Sequence, residues 1–175
     1  MTRQIDRRTL IKGGALSLAG GAIAAPAAAD VPAGRDPFDY EIVKPDAEWM
    51  EQLGPEVFNV MRNGATEDRH SSPLIDETRP GLYSCRACDL PLYTHVSKKQ
   101  VDRGWVFFRA SEPNSLLMSI DGPAQAMEDT EFADFQSIEV HCRRCGSHIG
   151  HILPVEGDAL HCDNGSALRF TPAEA

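Results

Sequence analysis

From Gly81 onward the chain alternates short apolar runs with glycine, proline, asparagine or aspartate: GLYSC, PLYTHV, GWVFFRA, LLMSI, FQSIEVHC, HIGHIL, ALHC and ALRF. Runs of this length between turn formers predict short strands in an antiparallel, mainly β core. The preceding segment, PDAEWMEQLGPEVFNVMRNGATE, has a different period. Trp49, Met50 and Leu53 share one helical face there, with Asp46 as the expected N-cap and Gly54-Pro55 as the stop. A second short helix is expected over Pro55 to Arg62, ended by Asn63-Gly64, with Val57, Val60 and Met61 on its buried side. His70 to Pro80 is polar and proline-bearing, and reads as a loop.

Residues 1–29 follow neither pattern. Arg7 and Arg8 precede a glycine-, alanine- and leucine-rich run from Leu10 to Ala25, and Ala27-Ala28-Ala29 offers a small-residue cleavage site. These three parts together predict a signal peptide, and the adjacent arginines resemble the bacterial twin-arginine type. The expected partner is the twin-arginine export machinery, and the expected location periplasmic or secreted. The alternative is an uncleaved anchor helix, which the glycines and Pro26 disfavour. Residues 30–44 read as a linker, leaving 45–172 as one domain.

With 175 residues, 42% of them hydrophobic and 25% charged, the chain can bury a single core. Its formal charge of −9, with no basic patch after the first dozen residues, argues against nucleic acid as a partner. Five cysteines, an odd number, do not suggest a disulfide framework.

Four of those cysteines form two C-x2-C pairs, Cys85 with Cys88 in YSCRACD and Cys142 with Cys145 in VHCRRCG. Each such turn aims two thiolates at one ion, and two turns complete a closed tetrahedral shell, so a structural zinc (Zn2+) clamping distant hairpins is the reading taken. Redox dithiols and disulfides such as Cys85–Cys142 are the alternatives. Cys162 remains unpaired, within HCDNGSALRF. A lone cysteine is often a small buried hydrophobe. The polar neighbours His161, Asp163, Asn164 and Ser166 are not a core pattern, and His148 and His151 lie on the preceding segment. A thiolate nucleophile with a histidine proton donor is the chemistry these residues allow.

At these residues the chain resembles the methionine-R-sulfoxide reductases, the SelR-domain family. The likeness runs from about Pro45 to Thr171. It includes Glu48-Trp49, GATE at Gly64–Glu67, GLYSCRACDLPLY, Gly104-Trp105, EVHCRRCGSHIGH, and the closing pattern from Cys162 through Asn164 to Leu168-Arg169-Phe170. The resemblance implies a small mainly β fold of two antiparallel sheets with short N-terminal helices and a structural zinc. It implies Cys162 as nucleophile toward the sulfoxide sulfur, with His148, His151 and Asn164 organising water and protonating the departing oxygen. Trp105 would be an aromatic wall for the substrate methyl group. The implied substrates are proteins or peptides containing methionine sulfoxide, and the product is a sulfenic acid at Cys162.

The chain departs from the family pattern in several places. Val106, Phe107 and Phe108 follow Trp105 where the family commonly has Pro-Ser-Phe. Leu160 stands where an arginine is usual, which removes a cation able to favour the thiolate. The loop between His151 and Cys162 is shortened, with Glu156 or Asp158 as candidates for its carboxylate. Arg103 occupies the position of the second cysteine in many members, so the expected cycle has one cysteine, and an external thiol is the reductant. The alternatives to a reductase are a zinc-stabilised binding module on the same scaffold and a thiol peroxidase. The latter leaves Trp105 without a role.

Overall fold

The computed structural model describes residues 37–123 and 136–174. The expected signal peptide therefore lies outside the described residues, and among those described no helix is long and apolar enough to cross a membrane. Of the expected linker, residues 37–44 are described, and they dock on the domain. Ile42 N–H donates to the Arg144 carbonyl at 3.1 Å and its side chain packs against the main core. Glu41 pairs with Arg144 at 3.5 Å.

Two helices open the domain, α1 (Asp46–Leu53) and α2 (Pro55–Asn63). Asp46 is the first residue of α1 and not its cap; Pro45 holds the capping position and no side chain caps it. Asp46 and Glu48 then sit in the first turn, where carboxylates oppose the positive end of the helix dipole. The buried face of α1 is narrower than the sequence pattern implies, since Trp49 is buried and Met50 is exposed. In α2, Phe58 joins Val60 and Met61 inside, while Val57 is only partly buried. Gly64 ends α2 in the left-handed conformation, at φ 71°.

The strands follow the sequence pattern closely: β1 (Gly81–Cys85), β2 (Pro91–Thr94), β3 (Lys98–Lys99), β4 (Val106–Phe108), β5 (Leu116–Pro123), β6 (Gln136–Cys142), β7 (His148–Val155), β8 (Asp158–Asp163) and β9 (Leu168–Pro172). Only β3 had no apolar run to announce it. All pairings are antiparallel, in a three-stranded sheet ordered β2-β1-β9 and a six-stranded sheet ordered β3-β4-β8-β7-β6-β5. The expected mainly β fold of two antiparallel sheets is the one observed.

Aromatic side chains from both sheets join in one core. Tyr93 of β2 stacks on Phe108 of β4 with ring centroids 4.1 Å apart, and Tyr83 of β1 meets Phe108 edge-on at 5.0 Å. After β8 the chain leaves the six-stranded sheet, turns through a 3-10 segment at Gly165–Ala167 and enters the three-stranded sheet as β9. The Cys162–Asn164 stretch thus lies at the seam between the sheets.

Candidate active site and metal centre

The two C-x2-C turns have the same local construction. In the first, Asp89 N–H donates to the Cys85 carbonyl at 2.8 Å; in the second, Gly146 N–H donates to the Cys142 carbonyl at 2.8 Å. Asp89 (φ 58°) and Gly146 (φ 67°), each directly after the second cysteine, adopt the left-handed backbone that closes the turn. Arg144 fastens one turn to the other through a 3.2 Å bond to the Cys88 carbonyl. From α2, Arg62 donates to the Cys145 carbonyl at 3.0 Å.

The ligand atoms of Cys85, Cys88, Cys142 and Cys145 all lie within 4.8 Å of one another. The Cys85–Cys145 and Cys88–Cys142 sulfurs are 3.7 and 3.4 Å apart. A zinc ion with bonds of about 2.3 Å to four tetrahedral sulfurs would space them by about 3.8 Å, whereas a disulfide bond measures about 2 Å. The quartet therefore fits a four-thiolate zinc site and not a pair of disulfides. Its members come from both turns, as one shared ion requires. These four residues could hold the ion, whose role in a closed shell is structural.

The six-stranded sheet builds the second site by register. Phe107, Cys162, His151, Glu139 and Ser119 stand opposite one another in turn across β4, β8, β7, β6 and β5. Cross-strand partners share a face, with Cβ atoms about 5 Å apart, so Cys162 and His151 are immediate neighbours. His148 is three positions from His151, an odd spacing that would send the two side chains to opposite faces of a regular strand. A β-bulge corrects this. Val140 pairs with Gly150 but the next residue, His141, pairs with His148, so β7 carries one extra residue. The His148 and His151 rings accordingly meet at 5.2 Å.

Gly150 makes the bulge compatible with a close β8. A Cβ there would fall 2.2 Å from the Cys162 carbonyl oxygen and 2.7 Å from the Asp163 Cα.

Glu139 is the carboxylate of this site, and the sequence reading did not single it out. His148 Nδ1 lies 2.6 Å from Glu139 Oε1, and Ser119 donates to Oε2 at 3.4 Å. Burial pushes the Glu139 carboxyl up, but the hydrogen bond and charge of His148, then of His141 and His151, hold it below its ordinary value. His148 is buried, and its Nε2 has no hydrogen-bond partner among the described residues. The two carboxylates expected as candidates are engaged elsewhere. Glu156 and Asp158 pair with Lys99 at 3.2 and 3.1 Å, and Asp158 also with Arg109 at 3.1 Å.

Trp105 packs in one apolar cluster with Phe107, Leu153, Leu160 and Cys162, and the Arg69 guanidinium lies 4.9 Å from its ring centroid. Burial pushes the Cys162 thiol well up, with the charges of Asp163 and Glu67 adding to it and those of Arg103 and Arg69 opposing it. Leu160 therefore contributes apolar packing, and the nearby cations come from two loops instead of from β8. Asn164 is tied to backbone at both ends of its amide: Oδ1 accepts from Glu67 N–H at 2.9 Å and Nδ2 donates to the Ile149 carbonyl at 3.1 Å.

On the opposite face of β8, His161 and Asp163 point toward the main core. The Tyr93 hydroxyl and His161 Nδ1 share a 3.1 Å hydrogen bond. Burial lowers His161 to about 4 and raises Asp163 to about 8, the neighbouring Tyr93 hydroxyl offsetting part of the latter. Both groups are therefore neutral at pH 7.

A two-sheet β domain with a four-cysteine metal clamp and a buried cysteine next to one of two neighbouring histidines, the other paired with a carboxylate, defines a metal-stabilised thiol protein. The SelR domain family model matches residues 53–172. The chain is 34% identical to the peptide methionine sulfoxide reductase MsrB of Leifsonia xyli subsp. xyli, over 78% of this chain and 95% of that protein. It is 33% identical to the peptide methionine sulfoxide reductase MsrB of Agrobacterium fabrum, over 75% and 94% respectively. Against peptide methionine sulfoxide reductase B3 of Arabidopsis thaliana the identity is 32%, over 75% and 72%. The chain belongs to the SelR domain family.

Proposed function

We infer that the protein is a peptide-methionine (R)-S-oxide reductase. The observation that carries this reading is the sheet register, which sets Cys162 beside His151, whose ring, through the β7 bulge, meets that of His148 in the Glu139–His148 pair. In the proposed step the Cys162 sulfur attacks the sulfoxide sulfur. The transient bond between the two sulfurs and the sulfoxide S–O bond then break as the oxygen passes to the Cys162 sulfur. The thiol proton ends on that oxygen, and Cys162–SOH and methionine are formed; the cysteine is oxidised by two electrons and the sulfoxide reduced by two. The raised Cys162 pKa keeps that proton on the enzyme until substrate arrives. His148, oriented by Glu139, and His151 pass it to the departing oxygen.

Trp105 and Phe107 give the substrate methyl group an apolar wall. Asn164 braces the turn behind the nucleophile. Zinc held by Cys85, Cys88, Cys142 and Cys145 supplies folding energy and leaves no open coordination position for chemistry.

The four other cysteines form the metal quartet, which supports a one-cysteine cycle. One external thiol displaces water from the sulfenic acid to form a mixed disulfide, and a second thiol releases Cys162 and leaves as the disulfide. The Arg7-Arg8 sequence supports export by the twin-arginine machinery and repair of oxidised proteins in the periplasm or outside the cell.

The test uses a peptide carrying each epimer of methionine sulfoxide and a small dithiol. The R epimer should be reduced and the S epimer left, with Cys162→Ser inactive. Equal rates for wild type and Cys162→Ser would leave the binding-module reading in its place.

A further inference from the structure

Glu67, in the loop after α2, makes four hydrogen bonds to two separate parts of the site, the Asn164–Ser166 turn and Trp105. Its carboxylate accepts from Gly165 N–H and Ser166 N–H, both at 2.7 Å. Its backbone N–H donates to Asn164 Oδ1 at 2.9 Å, and its backbone carbonyl accepts from the Trp105 indole Nε1 at 3.4 Å. The same loop is pinned again beyond Glu67, where His70 N–H donates to the Gly104 carbonyl at 2.9 Å and Arg69 covers the Trp105 ring. The chain runs too close there for a side chain at Gly104, where a Cβ would stand 2.9 Å from the Arg69 Cβ.

We propose that Glu67 is the positioning residue that fixes Trp105 and Asn164 relative to Cys162 for sulfoxide reduction; the proposal rests on the reductase reading above. The geometry explains why glutamate is needed. Two consecutive amides past Asn164 converge on one carboxylate, which offers an acceptor to each, and ionised acceptors make stronger hydrogen bonds than neutral ones. Aspartate is one methylene too short to reach both amides while its own N–H stays on Asn164. Glutamine keeps one acceptor and presents an NH2 group to the other N–H, donor against donor. Anchored in this way, the loop carries its backbone carbonyl to the indole and so sets the aromatic wall at a fixed distance from the nucleophile. Misplacement of a positioning group by about 1 Å can cost on the order of 100-fold in rate.

The Glu67 charge opposes thiolate formation at Cys162, so its retention is unfavourable to the nucleophile taken alone. This separates positioning from simple activation, because the two predict opposite signs. The experiment compares full-length zinc-loaded wild type with Glu67→Gln and Glu67→Asp. In single-turnover reduction of an R-sulfoxide peptide at saturating substrate, both variants should be at least roughly tenfold slower. In the same samples, alkylation of Cys162 by iodoacetamide should be as fast as wild type or faster in Glu67→Gln. Reduction at the wild-type rate in both variants overturns the proposal, and so does a parallel fall of alkylation and reduction, which would mark a general loss of structure.

A second arm needs no activity. The Trp105 fluorescence, taken as the difference from Trp105→Phe, should shift in Glu67→Gln, and an unchanged spectrum overturns the coupling. A wild type unable to reduce either epimer would instead defeat the reductase reading, while the fluorescence arm would still report whether Glu67 holds Trp105.

Discussion

At the scale of single residues, Glu139 and Asp163 are two buried carboxyls with opposite consequences. Glu139 is held ionised by a 2.6 Å hydrogen bond to His148, so it fixes which His148 nitrogen faces the site. Glu139→Gln should keep the fold and lower kcat by roughly 100-fold with a small change in KM, as expected when a proton donor loses its orienting partner. Steady-state kinetics check this.

Asp163 shifts the pH dependence of stability. Its folded value of about 8 lies above the ordinary 3.8, so between those values the native state keeps a proton that the unfolded chain has lost. Stability is undiminished below 3.8, falls as pH rises toward 8 and then levels. His161, at about 4 against 6.5, has the reverse slope: its penalty appears only as pH falls from 6.5 toward 4. Between pH 6.5 and 8 only the Asp163 slope acts of the two. Asp163→Val should therefore be more stable than wild type at pH 8, by on the order of 3 kcal/mol, with much of the decline between 6.5 and 8 removed. Urea unfolding at the two pH values measures both.

At the scale of elements, the bulge in β7 is what makes two histidines at an odd spacing into neighbours. It depends on Gly150, because β8 passes where a side chain would be. The obstacle is backbone, which cannot rotate away as a flexible side chain can. Gly150→Ala should cost about 2 kcal/mol or more by overpacking, and should slow sulfoxide reduction because the displaced backbone carries Cys162. Denaturant unfolding alongside the R-sulfoxide assay gives both numbers, and a fully active, fully stable variant would remove the bulge from the account.

At the scale of the molecule, the metal quartet joins the β1–β2 turn to the β6–β7 turn, and hence one sheet to the other. The aromatic core lies between the same two sheets. Removing zinc leaves four cysteine side chains crowded in one volume with no cation to balance their thiolates. Since structural zinc contributes on the order of 10 kcal/mol, chelation or Cys145→Ser should unfold the domain and not merely inactivate it. Loss of near-UV circular dichroism together with one zinc released per chain is the expected result. Retention of the folded spectrum in metal-free protein would contradict the clamp.

Every strand but β3, and the metal quartet, was legible in the sequence, which also singled out Cys162 as the unpaired thiol. Apolar runs between turn residues mark strands wherever they fall, and C-x2-C spacing is set by the turn that holds one ion. Those are local relations, legible in consecutive residues. The sequence did not determine Glu139 or Glu67 as members of the site, the docking of residues 40–42, or the face on which His148 lies. Each of these depends on which strands pair and in what register. Glu139 reaches His148 only because β7 carries an extra residue, and Glu67 reaches Gly165, 98 positions later, only because the chain crosses between sheets there. Glu156 and Asp158 were nearer in sequence to Cys162 and face Lys99 instead. Proximity along the chain was a poor guide to the carboxylate because antiparallel pairing brings together residues from different strands.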